Sequence, residues 1–333
     1  MKFRSELTIS KAPRPITHRD QTLLIGSCFT ENMGDKMSRH AFRVMENPHG
    51  ILFNPVSVAE ALTQYIDHTQ ATPRDIFYYQ DIYHSWKHHS RFSDLQAENS
   101  LAKINQSVSA AHAFLKTADH VLITLGSAWV YTLTAEAIGG QVGSVAANNH
   151  KAPAAWFRKR LLTVEETLST LDNIIHRLFH FNPKLQIIFT ISPVRHLREG
   201  MIENNRSKAV LIQAVHHLVD KFEGLYYFPA YELVIDDLRD YRFYAEDLVH
   251  PNYQATQYVW EKFTEACMTD ETRELLKEIA AIQSACTHKP FNPHSLQHQQ
   301  FRANFLAKAK YLQEWHPYID LQAQIRFLSE PDA

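Results

Sequence analysis

Four short apolar runs, separated by stretches with helical periodicity, constrain the fold of this chain more than any other feature. The runs have the length of buried strands and comprise residues 22–25, 121–125, 187–191 and 225–228. The stretches between them have the spacing of amphipathic helices and comprise residues 30–42, 56–66, 97–117, 168–179 and 205–222. Strands that alternate with helices form a mostly parallel sheet with helices on both faces. The sequence therefore predicts an α/β fold.

The chain changes character after Asn252. Residues 253–267, 271–285 and 295–315 have helical patterns, and no apolar run typical of a strand separates them. We therefore predict two parts, an α/β catalytic domain over residues 1–260 and a helical C-terminal extension over residues 261–333. We expect the extension either to pack on the α/β domain or to join copies of the chain into a homo-oligomer.

Composition limits the classes of partner. The 333 residues carry a formal charge of −2, which gives no electrostatic reason to expect nucleic acid or an anionic membrane. Residues 1–6 lack the apolar core of a signal peptide, and no run approaches the ~18 apolar residues that a membrane span needs. The three cysteines, Cys28, Cys267 and Cys286, show no disulfide framework, which suits a reducing compartment. We predict a cytoplasmic protein without a cofactor.

The first apolar run ends in the turn Gly26-Ser27-Cys28-Phe29. In an open α/β sheet, ligands bind at the carboxyl ends of the strands, so these residues should face that crevice at the start of a helix. The helix dipole, and an imidazole if one is near, would raise the thiolate fraction of Cys28. Backbone N–H groups of the same turn could hold an oxyanion. The alternative is that Cys28 is a small buried hydrophobe, as most lone cysteines are.

A second motif, Asp247-x-x-His250, follows the last predicted strand and a loop. A histidine that acts as a base needs a group on its other ring nitrogen, and a carboxylate three residues earlier can reach it. The position after a strand places the pair at the carboxyl edge of the sheet, as it does Cys28. The alternative is a surface loop with ordinary polar residues.

Taken together, these motifs resemble a known superfamily. Gly26-Ser27-Cys28-Phe29-Thr30 is similar to the Gly-Asp-Ser-x-Thr block that opens the SGNH (GDSL-like) hydrolases, and residues 247–252 are similar to their closing Asp-x-x-His-Pro block. More specifically, the chain resembles the GSCFA-domain family, which is named for its opening motif. Further stretches that resemble this family are residues 47–55, 125–131, 149–151 and 192–196. The resemblance implies a flavodoxin-like three-layer α/β/α sandwich and either ester hydrolysis or acyl transfer.

The chain departs from the hydrolase pattern at two positions. Read without gaps, Cys28 takes the place of the nucleophilic serine, and we favour it as nucleophile over Ser27, which would serve if the turn is shifted by one residue. The block Gly-x-Asn-Asp, whose asparagine donates to the oxyanion, reads Gly126-Ser127-Ala128-Trp129 here. Losing such a donor costs roughly 3–4 kcal/mol of transition-state stabilisation. The N–H of Gly50 remains as a donor, and Asn148, Asn149 or His150 could replace the missing amide.

Other polar and aromatic clusters have two interpretations each. Arg195 and His196 follow a buried strand, and Arg195 could bind a substrate carboxylate or phosphate or form a salt bridge within its loop. Asn149 and His150 belong either to a substrate-binding lip or to a solvated loop. His84 and His88 have i, i+4 spacing that could suit a metal, but no supporting ligand is nearby in the sequence, so we predict no metal site.

Aromatic residues could form a surface for stacking against sugars, although core packing is the more common role for such side chains. The candidates are Trp86, Phe92, Trp129 and Tyr131.

The sequence therefore predicts a hydrolase or acyltransferase that acts on an O-acyl ester, such as an O-acetyl ester, of a carbohydrate or small metabolite. His250 would deprotonate Cys28, Asp247 would orient His250, and the N–H groups of Cys28 and Gly50 would bind the oxyanion. The competing hypothesis is a non-catalytic glycan-binding or scaffolding module. The missing asparagine favours that module, whereas the intact Asp-x-x-His-Pro motif disfavours it.

Overall fold

The computed structural model describes residues 5–330, with only the backbone described at Glu199. Residues 1–4, on which the prediction about a signal peptide partly depends, and residues 331–333 lie outside the described part. Up to residue 117 the elements are β1 (Gln21–Gly26), α1 (Cys28–Arg39), β2 (Arg43–Glu46), α2 (Pro55–Asp67), β3 (Phe77–Tyr79), β4 (Ile82–His84) and α3 (Ala97–Thr117). From residue 120 to residue 227 they are β5 (His120–Leu125), β6 (Trp129–Leu133), β7 (Val145–Ala146), β8 (Phe157–Leu161), α4 (Val164–Phe181), β9 (Gln186–Ile191), α5 (Met201–Lys221) and β10 (Leu225–Tyr227). The remaining elements are α6 (Ala230–Glu232), which a π-helical turn (Leu233–Leu238) follows, α7 (Tyr253–Cys267), α8 (Asp270–Thr287), α9 (Leu296–Trp315) and α10 (Gln322–Ser329).

The central sheet has five parallel strands in the order β10-β9-β5-β1-β2. Its three inner strands are the first three apolar runs that the sequence predicts as strands. Because side chains of a strand alternate between faces, Leu23 and Ile25 pack into one apolar cluster and Leu24 into another. The first cluster contains residues of α2, α3, α4 and α5, and the second contains residues of α1 and α7. The prediction of an α/β fold with a parallel sheet flanked by helices is confirmed.

The helix starts follow the local sequence. Asn54 caps α2 by accepting the N–H of Ser57 at 2.9 Å, with Pro55 at the first helical position. Thr163 and Glu166 form a capping box at the start of α4. These bonds satisfy N–H groups that would otherwise lack a partner in the first turn of each helix.

The structure contains short strands that the sequence analysis does not predict. β3 and β4 form a hairpin whose turn, Gln80-Asp81, has positive φ at both residues, as a type I′ turn requires. β6 pairs with β7 and with β8 in a small antiparallel sheet. Helical or strand periodicity is hard to recognise over two to five residues, so such short elements escape prediction.

C-terminal helices follow the α/β body, as predicted. Helices α8, α9 and α10 share an apolar cluster that includes Ile279, Leu312 and Leu328. Leu296 and Trp315 of α9 are exposed, but the described contacts lie within one chain, so self-association through these helices stays a prediction.

Within residues 5–330, every helix falls short of the length and apolar character that crossing a lipid bilayer demands.

Candidate active site

The turn after β1 depends on glycine. Gly26 has φ of +143°, and a Cβ at this position would overlap the carbonyl oxygen of Thr124 on the neighbouring strand β5. The Gly26 N–H donates to Asn47 Oδ1 at 2.9 Å, and its carbonyl accepts the N–H of Leu52 at 2.8 Å. The turn is therefore fixed on both sides, and it directs the chain from β1 into α1 at the carboxyl edge of the sheet.

Ser27 and Cys28, the two candidate nucleophiles, have different structural roles. Ser27 is the N-cap of α1: its Oγ accepts the N–H of Phe29 at 3.3 Å, and only 1% of the residue is exposed. Cys28 is the first residue of the helix and is only half-buried. The hydroxyl of Ser27 is thus occupied in capping, while the Cys28 sulfur is the more accessible of the two.

The sequence-based expectation of a lowered thiol pKa at Cys28 is wrong. Burial raises the pKa of this thiol, and the nearby Glu31 carboxylate raises it further. The N–H groups of Cys28 and Phe29, together with Lys208, act in the opposite direction but do not compensate. Desolvation disfavours the charged form more than the first turn of the helix favours it. The thiolate of Cys28 is therefore less favoured than that of a solvent-exposed cysteine.

Asp247 and His250 form a hydrogen-bonded pair. Asp247 Oδ2 accepts from His250 Nδ1 at 2.6 Å, and Oδ1 accepts the N–H groups of Val249 and His250 at 2.9 and 3.0 Å. These bonds, with the His250 N–H contributing most, lower the pKa of Asp247 to about 2. Because Nδ1 faces the carboxylate, Nε2 of His250 is the nitrogen that can accept a proton.

The turn that carries this pair lies against the segment that follows β9. The N–H of Arg195 donates to the carbonyl of Val249 at 3.2 Å. Burial lowers the pKa of His196 to about 4, with further contributions from the charges of Lys208 and His250. His250 is therefore a neighbour of His196 at the carboxyl edge of the sheet, as its position in the sequence predicts.

Gly126, directly after β5, brings the ends of three strands together. A Cβ at Gly126 would lie 3.3 Å from Cβ of Ser27, 3.3 Å from Phe53 Cδ1 and 3.4 Å from His196 Nε2. These are tight contacts, so the missing side chain at Gly126 lets the residues after β1 and β9 approach each other. Within residues 5–330 no hydrogen bond joins the Cys28 sulfur to His250. Lys208 acts electrostatically on both Cys28 and His196, and His250 acts on His196.

The glycine N–H groups considered as oxyanion donors have partners within the protein. Gly50 donates to the carbonyl of Asn47 at 2.7 Å, and Gly126 donates to the carbonyl of Phe53 at 2.8 Å. The expected role of the Gly50 N–H in oxyanion binding is therefore not supported, because that N–H closes a local turn. Gly50 instead allows close contact with His89, since a Cβ there would overlap the imidazole side chain.

A cavity of about 330 Å³ borders Ser127 and His196. Its lining combines aromatic rings, amides and cations and comprises Phe53, Asn54, Ser127, Trp129, Tyr131, Ala146, Ala147, Asn148, Asn149, Lys159, His196 and Arg198. Lys159 lies 4.6 Å from the ring centre of Trp129. A larger cavity of about 480 Å³ between α2 and α4 contains none of the predicted site residues. Of these two cavities, the smaller one adjoins the strand ends.

His150 and two of the aromatic candidates lie outside this cavity. His150 is buried, its Nε2 lies 2.8 Å from the carbonyl of Ser85, and burial lowers its pKa to about 4. Trp86 stacks on Phe77 with ring centres 3.9 Å apart, and Phe92 is also buried. These side chains pack in the interior, whereas Trp129, Tyr131 and Asn149 line the cavity.

Arg195 packs against tyrosines. Its guanidinium lies 4.1 Å from the ring centre of Tyr244 and 5.1 Å from that of Tyr241. Its Nη1 is buried and has no hydrogen-bond partner among residues 5–330. The salt-bridge alternative is therefore not observed in the described part of the chain, and Arg195 braces the loop that carries His250.

Helix α5 contributes residues that the sequence analysis missed. Lys208 is 1% exposed, and its Nζ donates to the carbonyls of Gly126 at 2.7 Å and Ser192 at 2.6 Å. Burial lowers its pKa to about 7, opposed by the charge of Cys28. The sequence does contain an indication that Lys208 is buried. It is three residues before Leu211 and seven before Val215, on the apolar stripe of the helix.

Two further side chains of α5 hold the strand ends. Asn204 Oδ1 accepts the N–H of His196 at 2.9 Å, and Ser207 Oγ accepts the N–H of Ala128 at 2.7 Å. The first half of α5 thus fixes both loops, after β5 and after β9, that border the cavity.

His84 and His88 do not share a helical face. His84 ends strand β4 and its Nδ1 lies 2.8 Å from Ser93 Oγ, while His88 stacks on His49 with ring centres 4.1 Å apart. Over residues 5–330, no three or more side chains of His, Cys, Asp and Glu are grouped so that they could hold a metal ion.

Fold and site together define an α/β protein with a cysteine at the tip of the first strand and an Asp–His pair at the same edge of the sheet. Residues 21–263 match the GSCFA family, and residues 279–330 match the GSCFA domain protein, C-terminal domain. Because the first match covers more than half of the chain, the protein belongs to the GSCFA family. The resemblance of the sequence motifs to this family is thereby confirmed.

No curated protein matches the chain. Among solved structures, the chain is similar to an acetyl xylan esterase (Est2A) from the rumen bacterium Butyrivibrio proteoclasticus, with a TM-score of 0.36 and 10% identity. The match covers 74% of this chain and 62% of the esterase chain, so this chain spans less than two thirds of that relative. A similarity this low says nothing about the activity or the substrate of this chain.

Proposed function

We propose that the protein is an esterase or acyltransferase in which Cys28 is the nucleophile and His250, oriented by Asp247, is the general base. The observation that carries this proposal is the Asp247–His250 hydrogen bond of 2.6 Å. Asp247 Oδ1 is held by two backbone N–H groups, so the carboxylate is fixed before substrate binds. A fixed acceptor on Nδ1 leaves Nε2 to take a proton, which is the arrangement that activates a nucleophile.

The reaction starts from the neutral thiol, because burial raises its pKa. As Cys28 Sγ attacks the ester carbonyl, His250 Nε2 takes the thiol proton and the carbonyl oxygen becomes an oxyanion. Collapse breaks the C–O bond, and His250 returns the proton to the departing alkoxide, which leaves a thioester on Cys28. Water or an acceptor hydroxyl then attacks the thioester, gives its proton to His250 and releases the acyl product, and His250 protonates the thiolate. Catalytic hydrogen bonds often tighten only when substrate is bound, so the absence of a Cys28–His250 hydrogen bond is compatible with this order of reaction steps.

Three groups are assigned to the oxyanion. The N–H of Cys28 is at the first position of α1, where the helix dipole favours negative charge. The side-chain amides of Asn148 and Asn149 line the neighbouring cavity and replace the asparagine absent from the sequence 126–129.

The cavity supports a carbohydrate ester as substrate. Trp129 and Tyr131 offer aromatic faces, and Asn148 and Asn149 offer amide groups that can bind hydroxyls. An O-acyl group, with O-acetyl as the simplest case, would reach the strand ends through the side of the cavity that His196 borders.

The test is capture of the thioester. The protein is incubated with a short-chain aryl ester and quenched in acid, and the intact mass and the peptides are then measured. We expect one acyl group on the peptide that contains Cys28, none in Cys28→Ala, and retention in Ser27→Ala. An acyl group on Ser27 in the wild type would refute the proposal. Turnover in Cys28→Ala and His250→Ala equal to that of the wild type would also refute it.

The role of Asp247 has a matched control. Asp247→Asn should lower turnover by roughly 10²–10⁴-fold, because the imidazole loses its orienting carboxylate. Asp240, an exposed aspartate of the same loop, accepts the N–H of Arg242 rather than an imidazole. Asp240→Asn should therefore leave turnover unchanged, and equal losses in both variants would argue for a purely structural effect on the loop.

A non-catalytic glycan-binding module is the second candidate, and the raised thiol pKa of Cys28 is the observation that favours it. Under this alternative, an acylated oligosaccharide binds without turnover and no adduct forms on Cys28. Calorimetry with that ligand, followed by analysis of its acyl content, separates the two functions.

A further inference from the structure

The imidazole of His196 lies between the turn of the candidate nucleophile and the smaller cavity. One point, the position that a Cβ on Gly126 would take, is 3.4 Å from His196 Nε2 and 3.3 Å from Cβ of Ser27. The same histidine lines the cavity of about 330 Å³. An ester that binds in this cavity and presents its carbonyl carbon to Cys28 would therefore lie beside the Nε2 edge of this ring.

The ring of His196 is held in place, yet its nitrogens are available. Asn204 Oδ1 accepts the backbone N–H of His196 at 2.9 Å. The ring meets that of Phe53 edge to face, with ring centres 5.2 Å apart and an angle of 86° between the planes. Among the side chains and backbone groups that the structure describes, neither ring nitrogen of His196 has a hydrogen-bond partner. A fixed ring with open nitrogens can bind a substrate atom without rearranging.

The surroundings of His196 decide which role its nitrogens can take. Burial lowers the pKa of this imidazole to about 4, with smaller contributions from the neighbouring groups Lys208, His250 and Lys159. At neutral pH the ring is therefore uncharged and carries a proton on one nitrogen. Such a ring is a poor base, but its N–H can donate to an oxygen on which negative charge develops. The role of base stays with His250.

We propose that His196 is a further catalytic residue of this site and that its Nε2–H donates a hydrogen bond to the oxyanion formed from the ester carbonyl. This inference rests on the proposed function. The N–H of Cys28 reaches the oxyanion from the start of α1, and Nε2–H of His196 reaches it from the segment that follows β9. His196 keeps its proton throughout, so the proton transfers between Cys28 and His250 are unchanged. The ring thus adds a donor to a site whose residues 126–129 lack the asparagine of the hydrolase pattern.

Two substitutions at position 196 test the donor with a short-chain aryl ester. His196→Leu removes both ring nitrogens and should lower kcat by roughly 10²–10³-fold with little change in KM, because the lost hydrogen bond is made mainly in the transition state. His196→Gln keeps an N–H group at the end of the side chain and should recover much of that loss. A glutamine amide cannot act as a base, so this recovery distinguishes a donor from a base. The control is His217→Leu, an exposed histidine of α5, which should leave kcat unchanged.

A folded His196→Leu protein with the kcat of the wild type would overturn the inference. Equally low kcat values in His196→Leu and His196→Gln would overturn it as well, since a donor should be replaceable by an amide.

A measurement on the wild type decides if these variants do not fold. Protein with ¹⁵N-labelled histidine is mixed with an aryl trifluoromethyl ketone. Cys28 Sγ adds to the ketone carbon, the thiol proton passes to His250, and the carbonyl oxygen becomes an oxyanion. The ¹H resonance of Nε2–H of His196 should then move downfield, because this proton enters a charge-assisted hydrogen bond.

The adduct itself is followed by ¹⁹F NMR, which separates the two hypotheses. An adduct that leaves the His196 resonance unchanged would refute the role of His196 alone. Absence of both this adduct and the thioester in the wild type would refute the proposed function, and the role of His196 with it.

Discussion

Cys28 and Cys267 occupy opposite ends of two helices that pack in the same apolar cluster. Cys28 begins α1 at the carboxyl edge of the sheet and is half-buried. Cys267 ends α7, is 0% exposed, and has the hydroxyl of Tyr226 as its polar neighbour. Burial raises the pKa of both thiols, and it does so far more at Cys267.

The comparison shows that surroundings, not residue type, decide what a cysteine in this fold can do. At Cys28, two N–H groups of the helix start and the ammonium of Lys208 counteract burial. A helix end offers carbonyl groups instead, which disfavour a negative charge. Cys267 is therefore a core side chain, whereas Cys28 is a thiol that a base can activate.

The largest contrast is expected in turnover. Cys28→Ala should lower hydrolysis of an aryl ester by roughly 10³-fold or more, because in the proposed mechanism it removes the atom that attacks the carbonyl. Cys267→Ala should keep turnover within about twofold, although it loses roughly 1 kcal/mol of stability from the smaller buried side chain. Initial rates and urea unfolding measure both quantities. Equal activity in the two variants would erase the difference between the sites.

A smaller contrast is expected in native reactivity. At pH 8, iodoacetamide should modify Cys28 at least about 10²-fold faster than Cys267, since the buried thiol reacts only when the structure opens locally. Peptide mapping at several times measures the two rates in one sample. Unfolding in guanidinium is the control and should make the two rates similar. Comparable rates in the folded protein would mean that Cys28 is as inaccessible as Cys267.

The next contrast separates Ser27 from Cys28. Ser27→Ala removes the N-cap of α1 and should lower stability by about 1 kcal/mol, while the acyl adduct still forms on Cys28. Ser295 caps α9 in the same way, accepting the N–H of His298 at 3.2 Å. Ser295→Ala should cost a similar amount without any change at the site. Loss of the adduct in Ser27→Ala, with stability no lower than that of Ser295→Ala, would transfer the nucleophile to Ser27.

Much of the fold could be predicted from the sequence because its signals are local. The inner strands are continuous apolar runs, and caps such as Asn54 and Thr163 mark helix starts within a few residues. The Asp247–His250 pair could also be predicted, since its two members are close in sequence and form one turn. The short strands β6, β7 and β8 could not, because two to five residues carry too little periodicity.

What the sequence could not provide are properties that depend on contacts between distant segments. The thiol pKa of Cys28 depends on burial by the packed body, which outweighs the local helix start. The N–H groups of Gly50 and Gly126 donate to the carbonyls of Asn47 and Phe53, whose positions are defined only by the folded loops. Lys208 is ordinary in composition and becomes notable only when α5 places it beneath two strand ends.

The smallest expected effect concerns the pH dependence of stability, and it arises near α1 rather than near Cys267. Glu46 packs against Gly34 of α1, and burial, with the charge of Glu31 second, raises its pKa from 4.5 to about 7. The folded protein thus holds this proton more tightly than the unfolded chain does. The stability that Glu46 contributes is fully present below pH 4.5 and is lost as pH rises through about 7.

Glu46→Gln should therefore reduce the fall in melting temperature between pH 5 and pH 8, by about 1–2 °C because the side chain is partly solvated. Calorimetry at four pH values measures this difference. Glu223→Gln, an exposed glutamate before β10, is the control and should follow the wild type. Burial raises the pKa of Cys267 and of its neighbour Tyr226 to well above this range, so they cannot produce the same dependence. If Glu46→Gln melts in parallel with the wild type across the range, the carboxylate is ionised at pH 5 already, and α1 is less shielded from water than its contacts indicate.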